Sequence, residues 1–150
     1  MDDLDHRLLG ALMRDGRATY ADLADLVGLS VSATKRRVDR LVQDGVIAGF
    51  TAIVDRRALG WALEALVHVF TSGTVPAARM RRQLESVPEI VEAFTIAGAA
   101  DTVVRVVATD SEHLERVITR LRGLTHVQRT DTALVLTRLV SRPTTTEVAG

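Results

Sequence analysis

The sequence predicts an α+β chain in two parts, a winged helix-turn-helix followed by a ferredoxin-like βαββαβ domain. Three observations predict it. Between Thr19 and Gly45, two helical apolar stripes flank the break Gly28-Leu29-Ser30. From Ala62 to Val140, apolar runs rich in Val, Ile, Leu and Ala alternate with two helical stripes in the order β-α-β-β-α-β, a split βαβ unit. A charged segment closed by Gly60 lies between them. A length of 150 residues holds one domain or two small ones, and 47% hydrophobic content is enough for packed cores, which excludes a disordered chain.

The elements follow in order. Leu4, Leu8, Ala11 and Leu12 form an i, i+4, i+7, i+8 stripe, a first helix ending near Asp15-Gly16. Thr19 with Asp22 three residues on reads as a capping box, and Leu23, Leu26 and Val27 continue a second helix that Gly28 ends. Leu29 plugs the turn and Ser30 caps a third helix. On a helical wheel, Val31, Thr34, Val38, Leu41 and Val42 gather inward, and Ser32, Ala33, Arg36, Arg37 and Arg40 outward. Val46 to Val54 reads as two short strands around Gly49, a wing, which closes a first domain at residue 54. Residues 55–61 read as a hinge or a short helical turn packed on either domain. Ala62 to Thr71 is a strand. Thr74 is the expected cap of a helix with Pro76 in its first turn and Ala77, Met80, Leu84 and Val87 buried, stopped by Pro88. Ile90 to Ala97 and Val103 to Ala108 are strands around the turn Gly98-Ala99-Ala100-Asp101. Asp110 or Ser111 caps a helix with Leu114, Val117, Ile118 and Leu121 inward, and a last strand lies within His126 to Val140. Both helices should cover one sheet face, and a bare apolar opposite face predicts dimerisation through it. The Thr-rich residues 141–150 carry no stripe and read as a disordered tail.

A short second helix followed by one with a polar, basic outer face is the pattern that enters a DNA major groove. The candidate contact set is Ser30, Ser32, Ala33, Thr34, Lys35, Arg36, Arg37 and Arg40. Arginine pairs bidentately with guanine or clamps phosphate. Ser32 suits a base edge or phosphate, Ala33 a thymine methyl, and Lys35 phosphate. Two roles stay open for Arg37, a DNA contact or a tie inside the domain, and Thr34 at the stripe's edge is either a contact or core. Formal net charge is zero, so any attraction to DNA is local: acidic residues concentrate elsewhere, as at Asp2, Asp3 and Asp5, and the chain's one lysine, Lys35, lies in this helix. If those four cations met phosphate, a dimer would show a salt slope on the order of −7.

The absence of cysteine excludes disulfides and thiolate metal sites and fits a reducing cytoplasm. No apolar run is long enough to cross a bilayer, and the acidic N-terminus is unlike a signal peptide. His6, His68, His113 and His126 lack metal-ligand spacing, and Glu85, Glu89 and Glu92 read as solvated faces. No nucleophilic triad order, phosphate loop or paired carboxylate stands out, so the residues point away from an enzyme and imply no cofactor.

The motifs Leu4-Asp5, Asp15-Gly16-Arg17, Leu23-Ala24, Val27-Gly28-Leu29-Ser30, Arg37-Val38, Arg40-Leu41, Gly45-Val46-Ile47, Gly49-Phe50 and Leu59-Gly60, with Gly98, Asp101 and Thr130-Asp131-Thr132, resemble the Lrp/AsnC (feast/famine) family of regulators. The resemblance runs to about residue 140 and is most specific in the N-terminal half. It implies a homodimer that assembles further, binding to imperfect promoter palindromes, and a small effector, typically an amino acid, held by a C-terminal ligand-binding and oligomerisation domain. It places the effector at the turn Ala97, Gly98, Ala99, Ala100 and Asp101 and at Thr130 and Thr132. Chemically, a turn offers backbone N–H groups to a carboxylate, and Asp101 either takes an ammonium or simply forms the turn. Ala100 stands where the family often has an aromatic or larger polar residue, and Phe50 where tyrosine is common. Two other functions remain open. Some relatives of this architecture are sirohaem decarboxylases, for which His68 and His126 are the candidates here, and the alanine-rich turn also fits an architectural DNA binder without an effector.

Overall fold

The computed structural model describes residues 1–140, and the expected disordered tail at 141–150 lies outside the described residues. Residues 1–53 form one compact unit and residues 54–139 another.

The first unit is three helices, α1 (Asp3–Arg14), α2 (Tyr20–Val27) and α3 (Val31–Gln43). Asp2 caps α1 in a reciprocal box with Asp5, and Thr19 caps α2 in a box with Asp22. Gly28 ends α2 at φ 70°, a left-handed conformation that costs glycine nothing. Ser30 Oγ then accepts the Ala33 N–H at 3.2 Å and starts α3. Leu8, Leu23, Val27 and Val38 form the core, with Leu29 and Ile47 packed against it. Thr34, Val38 and Leu41 are the part of the α3 stripe that is buried. Val31 and Val42, expected inside, are 51% and 44% exposed, because they sit at the two ends of the helix on the flanks of that stripe.

The expected wing strands do not form among the described residues. Residues 48–54 are irregular, Phe50 and Val54 are exposed, and Ile53 is 100% exposed. A strand is held by cross-strand hydrogen bonds, and this segment meets no partner strand among the described residues. The segment read as a hinge contains a single 3₁₀ turn, Arg57–Leu59, closed by Gly60 at φ 84°.

The second unit carries β1 (Leu63–Thr71), α4 (Ala77–Leu84), β2 (Ile90–Thr95), β3 (Thr102–Ala108), α5 (Ser111–Arg122) and β4 (Val127–Leu134). The strands form one antiparallel sheet in the order β2-β3-β1-β4. Pro76, not Thr74, is the residue before α4, and no side chain caps that helix; Thr74 lies two positions too early. Ala77 is exposed, while Met80, Leu84 and Val87 are buried as expected. Asp110 caps α5 by accepting the His113 N–H at 2.8 Å.

Alternation along the strands divides the sheet. Ala65, Val67, Val69, Val104 and Val106 point to the helix side and pack with Met80, Leu84, Val117 and Leu121. The opposite face is less apolar than its strands' composition promised, because the valines were spent on the core. Register places Leu66, His68, Phe70 and Val103 on it beside Arg105, Arg129 and Asp131. Arg129 lies over the Phe70 ring at 3.7 Å, and Arg105 pairs with Glu64 and with Glu92.

Candidate nucleic-acid interface and ligand site

The outer face of α3 presents Ser32, Lys35, Arg36 and Arg40 to solvent, with Ala33 and Arg37 half-buried. Ala33, Arg36, Arg37 and Arg40 line a shallow groove of about 350 Å³. Ser30 Oγ is engaged as the helix cap and lies 3.2 Å from Ser32 Oγ. Thr34 is 0% exposed, so it belongs to the core and not to the contact face: at i−4 from Val38 it sits in the middle of the buried stripe.

The cations of this face are not free in the way their sequence positions indicate. Lys35 Nζ meets Asp39 at 2.6 Å, one turn along the helix. Arg37 Nη1 donates to Asp2 at 2.7 Å and to Asp5 at 2.8 Å. Arg40 Nη2 donates to both oxygens of Asp5, at 3.1 and 2.9 Å. Only Arg36 has no ion-pair partner among the described residues. Asp2 and Asp5, expected away from the basic helix, therefore face it, and Asp5 is 1% exposed. Burial works against charge on Asp5, yet the Asp2 backbone N–H and the Arg37 hydrogen bond hold its carboxyl below the usual carboxylate range. The Asp5 backbone N–H and Arg37 do the same for Asp2.

In the second unit, Thr95 pairs with Thr102 below the turn of residues 96–101. Ala97, Gly98 and Ala99 are exposed and Ala100 is 4% exposed. Among the described residues the N–H groups of 97–100 bond to no backbone carbonyl or side chain, so the turn can cradle an anion. Ala100 is packed inward, so its small size relieves the interior and does not itself open a pocket. Asp101 is tied down: its N–H donates to the Val69 carbonyl at 3.1 Å, and its Oδ2 accepts the Thr71 N–H at 2.7 Å. One carboxylate oxygen thus ties the turn to the end of β1, and the other accepts no hydrogen bond among the described residues. Asp101 also lines a cavity of about 440 Å³ with Thr71, Thr74, Met80, Ile96 and Thr102.

Thr130 and Thr132 do not join this cavity. They pair with Val69 and Val67 on β4, two strands from β3, about 10 Å away in a sheet. Both share the helix face. Thr130 is 8% exposed, and its hydroxyl accepts from Arg122 Nε at 2.8 Å. Within one chain the expected effector residues form two groups.

Glu89 departs furthest from its sequence reading. It is 8% exposed, not solvated, and Oε1 receives His113 Nε2 at 2.9 Å and Arg120 Nη2. His113 Nδ1 faces the Thr109 N–H at 3.3 Å, which can only donate, so the hydrogen is assigned to Nε2. Burial raises the Glu89 pKa, but His113 and Arg120 outweigh it and bring it to about 2. Glu85 and Glu92 are exposed as read. His68 stands opposite Asp131 on the open sheet face, and His126 lies in the turn before β4.

Sequence reasoning missed Asp2, Asp5 and Glu89. The one signal for Asp5 was its place beside Leu4 at the edge of the α1 stripe, where a carboxylate in the first helical turn is also favoured.

Two family models match the chain: one described as winged helix-turn-helix DNA-binding over residues 1–48, the other as the Lrp/AsnC ligand binding domain over residues 64–145. The HTH-type transcriptional regulator Rv2324 of Mycobacterium tuberculosis is 42% identical, across 95% of this chain and 96% of its own. Among solved structures, E. coli AsnC superposes with a TM-score of 0.89 at 28% identity, covering 96% of this chain and 97% of its own. A feast or famine regulatory protein of M. tuberculosis, Rv3291c, solved in complex with L-methionine, superposes with a TM-score of 0.86 at 34% identity, covering 93% and 95%.

Proposed function

Because this chain belongs to the Lrp/AsnC family of DNA-binding transcriptional regulators, we propose that α3 reads promoter palindromes and that an amino acid bound by the second unit tunes that binding. The observation that carries the DNA half is the groove on α3 lined by Ala33, Arg36, Arg37 and Arg40, with Arg36 as its one cation without an ion-pair partner among the described residues. Ser32 and Ala33 sit beside it near the helix N-terminus, where side chains reach base edges. The working unit is a homodimer: the open sheet face centred on Leu66, His68 and Phe70 and the exposed run Phe50 to Val54 are the surfaces a second copy covers.

The effector half is supported by the turn 97–101, where the N–H groups of 97–100 meet no acceptor among the described residues and suit a carboxylate, and where Asp101 keeps one oxygen for an ammonium. Of the two β4 threonines, Thr130 is buried and engaged by Arg122, which leaves the half-buried Thr132 as the one to complete the site from a neighbouring copy. The L-methionine complex of Rv3291c makes that amino acid the first one to try.

Both halves are tested on the full chain. Wild type is expected to hold the DNA upstream of its own gene against excess random duplex, and Arg36→Ala to lose that hold. If Arg36→Ala binds as wild type does, α3 is not the reading helix. For the effector, melting temperature is measured with each of the twenty amino acids at saturation; binding to the folded state alone must raise it. No rise with any of them would favour an effector-independent architectural binder.

A further inference from the structure

The cations on α3 are held by a carboxylate that belongs to another helix. Asp5 lies on α1, and all its accepting capacity is turned to fixed donors: Arg37 and Arg40 on Oδ1, Arg40 and the Asp2 N–H on Oδ2. It cannot swing, because Asp2 and Asp5 cap α1 reciprocally and Asp5 is 1% exposed. Arg37 and Arg40 stand three residues apart on the flank of α3 beside the groove. Each guanidinium has five N–H donors in a rigid fork, so donors not turned to Asp5 remain for DNA.

We propose that Asp5 is a positioning residue for DNA recognition, fixing the forks of Arg37 and Arg40 at the α3 groove and cancelling their excess charge. Between Ser30 and Gln43 there are four cations, and the carboxylates of Asp2, Asp5 and Asp39 face three of them. Among the described residues the helix therefore offers phosphate one uncompensated charge per subunit, that of Arg36. Held forks lose little freedom on binding, and cancelled charge weakens attachment to any phosphate backbone. Both effects favour the right sequence over the wrong one. The salt slope contributed by α3 in a dimer then falls from the order of −7 to about −2, at about 0.9 per phosphate neutralised.

The inference rests on α3 as the reading helix, so Arg36→Ala is run in parallel as the control for that premise. The test is Asp5→Asn in the full chain, with fluorescence anisotropy against the upstream duplex and a scrambled duplex across a salt series, together with the melting temperature. The expected result is tighter binding to scrambled DNA, by about tenfold at low salt, a salt slope steeper by about 1 to 4, and a smaller ratio of specific to scrambled affinity. A merely structural role would weaken both duplexes together and leave the slope alone. Should Asp5→Asn not fold, Asp2→Asn decides: it keeps a side chain that caps α1, lies at the surface, removes one of the two carboxylates on Arg37 and leaves Arg40 untouched, so a smaller shift in the same direction is expected. A folded variant with unchanged slope and unchanged ratio overturns the inference, and if Arg36→Ala still weakens binding, only the inference falls and the α3 reading stands.

Discussion

Replacing Glu89 by glutamine removes a charge and keeps the shape. The folded protein holds this carboxyl at about 2 against an ordinary 4.5, burial being outweighed by His113 and Arg120. At about 1.4 kcal/mol per pH unit that gap amounts to about 3 kcal/mol. The folded value is the lower one, so the stabilisation is fully present above about pH 4.5 and is lost as pH falls toward 2. Glu89→Gln should therefore cost about 3 kcal/mol at pH 7, a cost that closes as the pH drops through that window. The chain has one tryptophan, and the Trp61 ring centroid lies 6.0 Å from that of His113, so its fluorescence reports on this cluster. Urea unfolding followed at Trp61, for wild type and variant between pH 7 and pH 3, gives the difference directly. A cost below about 1 kcal/mol at pH 7, or one that stays constant with pH, would refute the reasoning.

Two smaller predictions concern the first unit. Thr34 is fully buried with no partner for its hydroxyl among the described residues, so Thr34→Val should leave stability unchanged or raise it by up to about 1 kcal/mol in thermal melts, with DNA affinity intact; a tenfold loss of affinity in a folded variant would return Thr34 to the DNA face. Gly28 sits at φ 70° with nothing within 4 Å of a new Cβ, so Gly28→Ala should cost only the left-handed backbone penalty, about 1 kcal/mol, and a neutral result would mean that α2 ends differently.

What was legible in the sequence was local. The Thr19-Asp22 box, the Gly28 stop and the Ser30 cap act over three or four residues, and each stands where the sequence placed it. The element order β-α-β-β-α-β followed from apolar runs alternating with helical stripes. The errors share a cause, which is distance along the chain or the lack of a partner. Asp5 reaches Arg37 and Arg40 across more than thirty residues, and Glu89 reaches Arg120 across a comparable span, so neither shows in any window of sequence. Glu89 follows Pro88 in a stretch with no periodicity, which hid its burial. The two wing strands are missing for the opposite reason: residues 48–54 have the composition of strands, but composition supplies no strand to pair with among the described residues. The site on α3 was found as a surface, and its charge balance was not, because two of the three compensating carboxylates, Asp2 and Asp5, sit at the other end of the unit's sequence.

The central claim is that α3 binds specific DNA under the control of a small molecule. The most direct measurement is a binding titration against the duplex upstream of the chain's own gene, with and without a pool of the twenty amino acids, in excess random competitor. The account predicts a competitor-resistant complex whose midpoint moves when the pool is added. A complex no tighter than that with random duplex, under either condition, would contradict it.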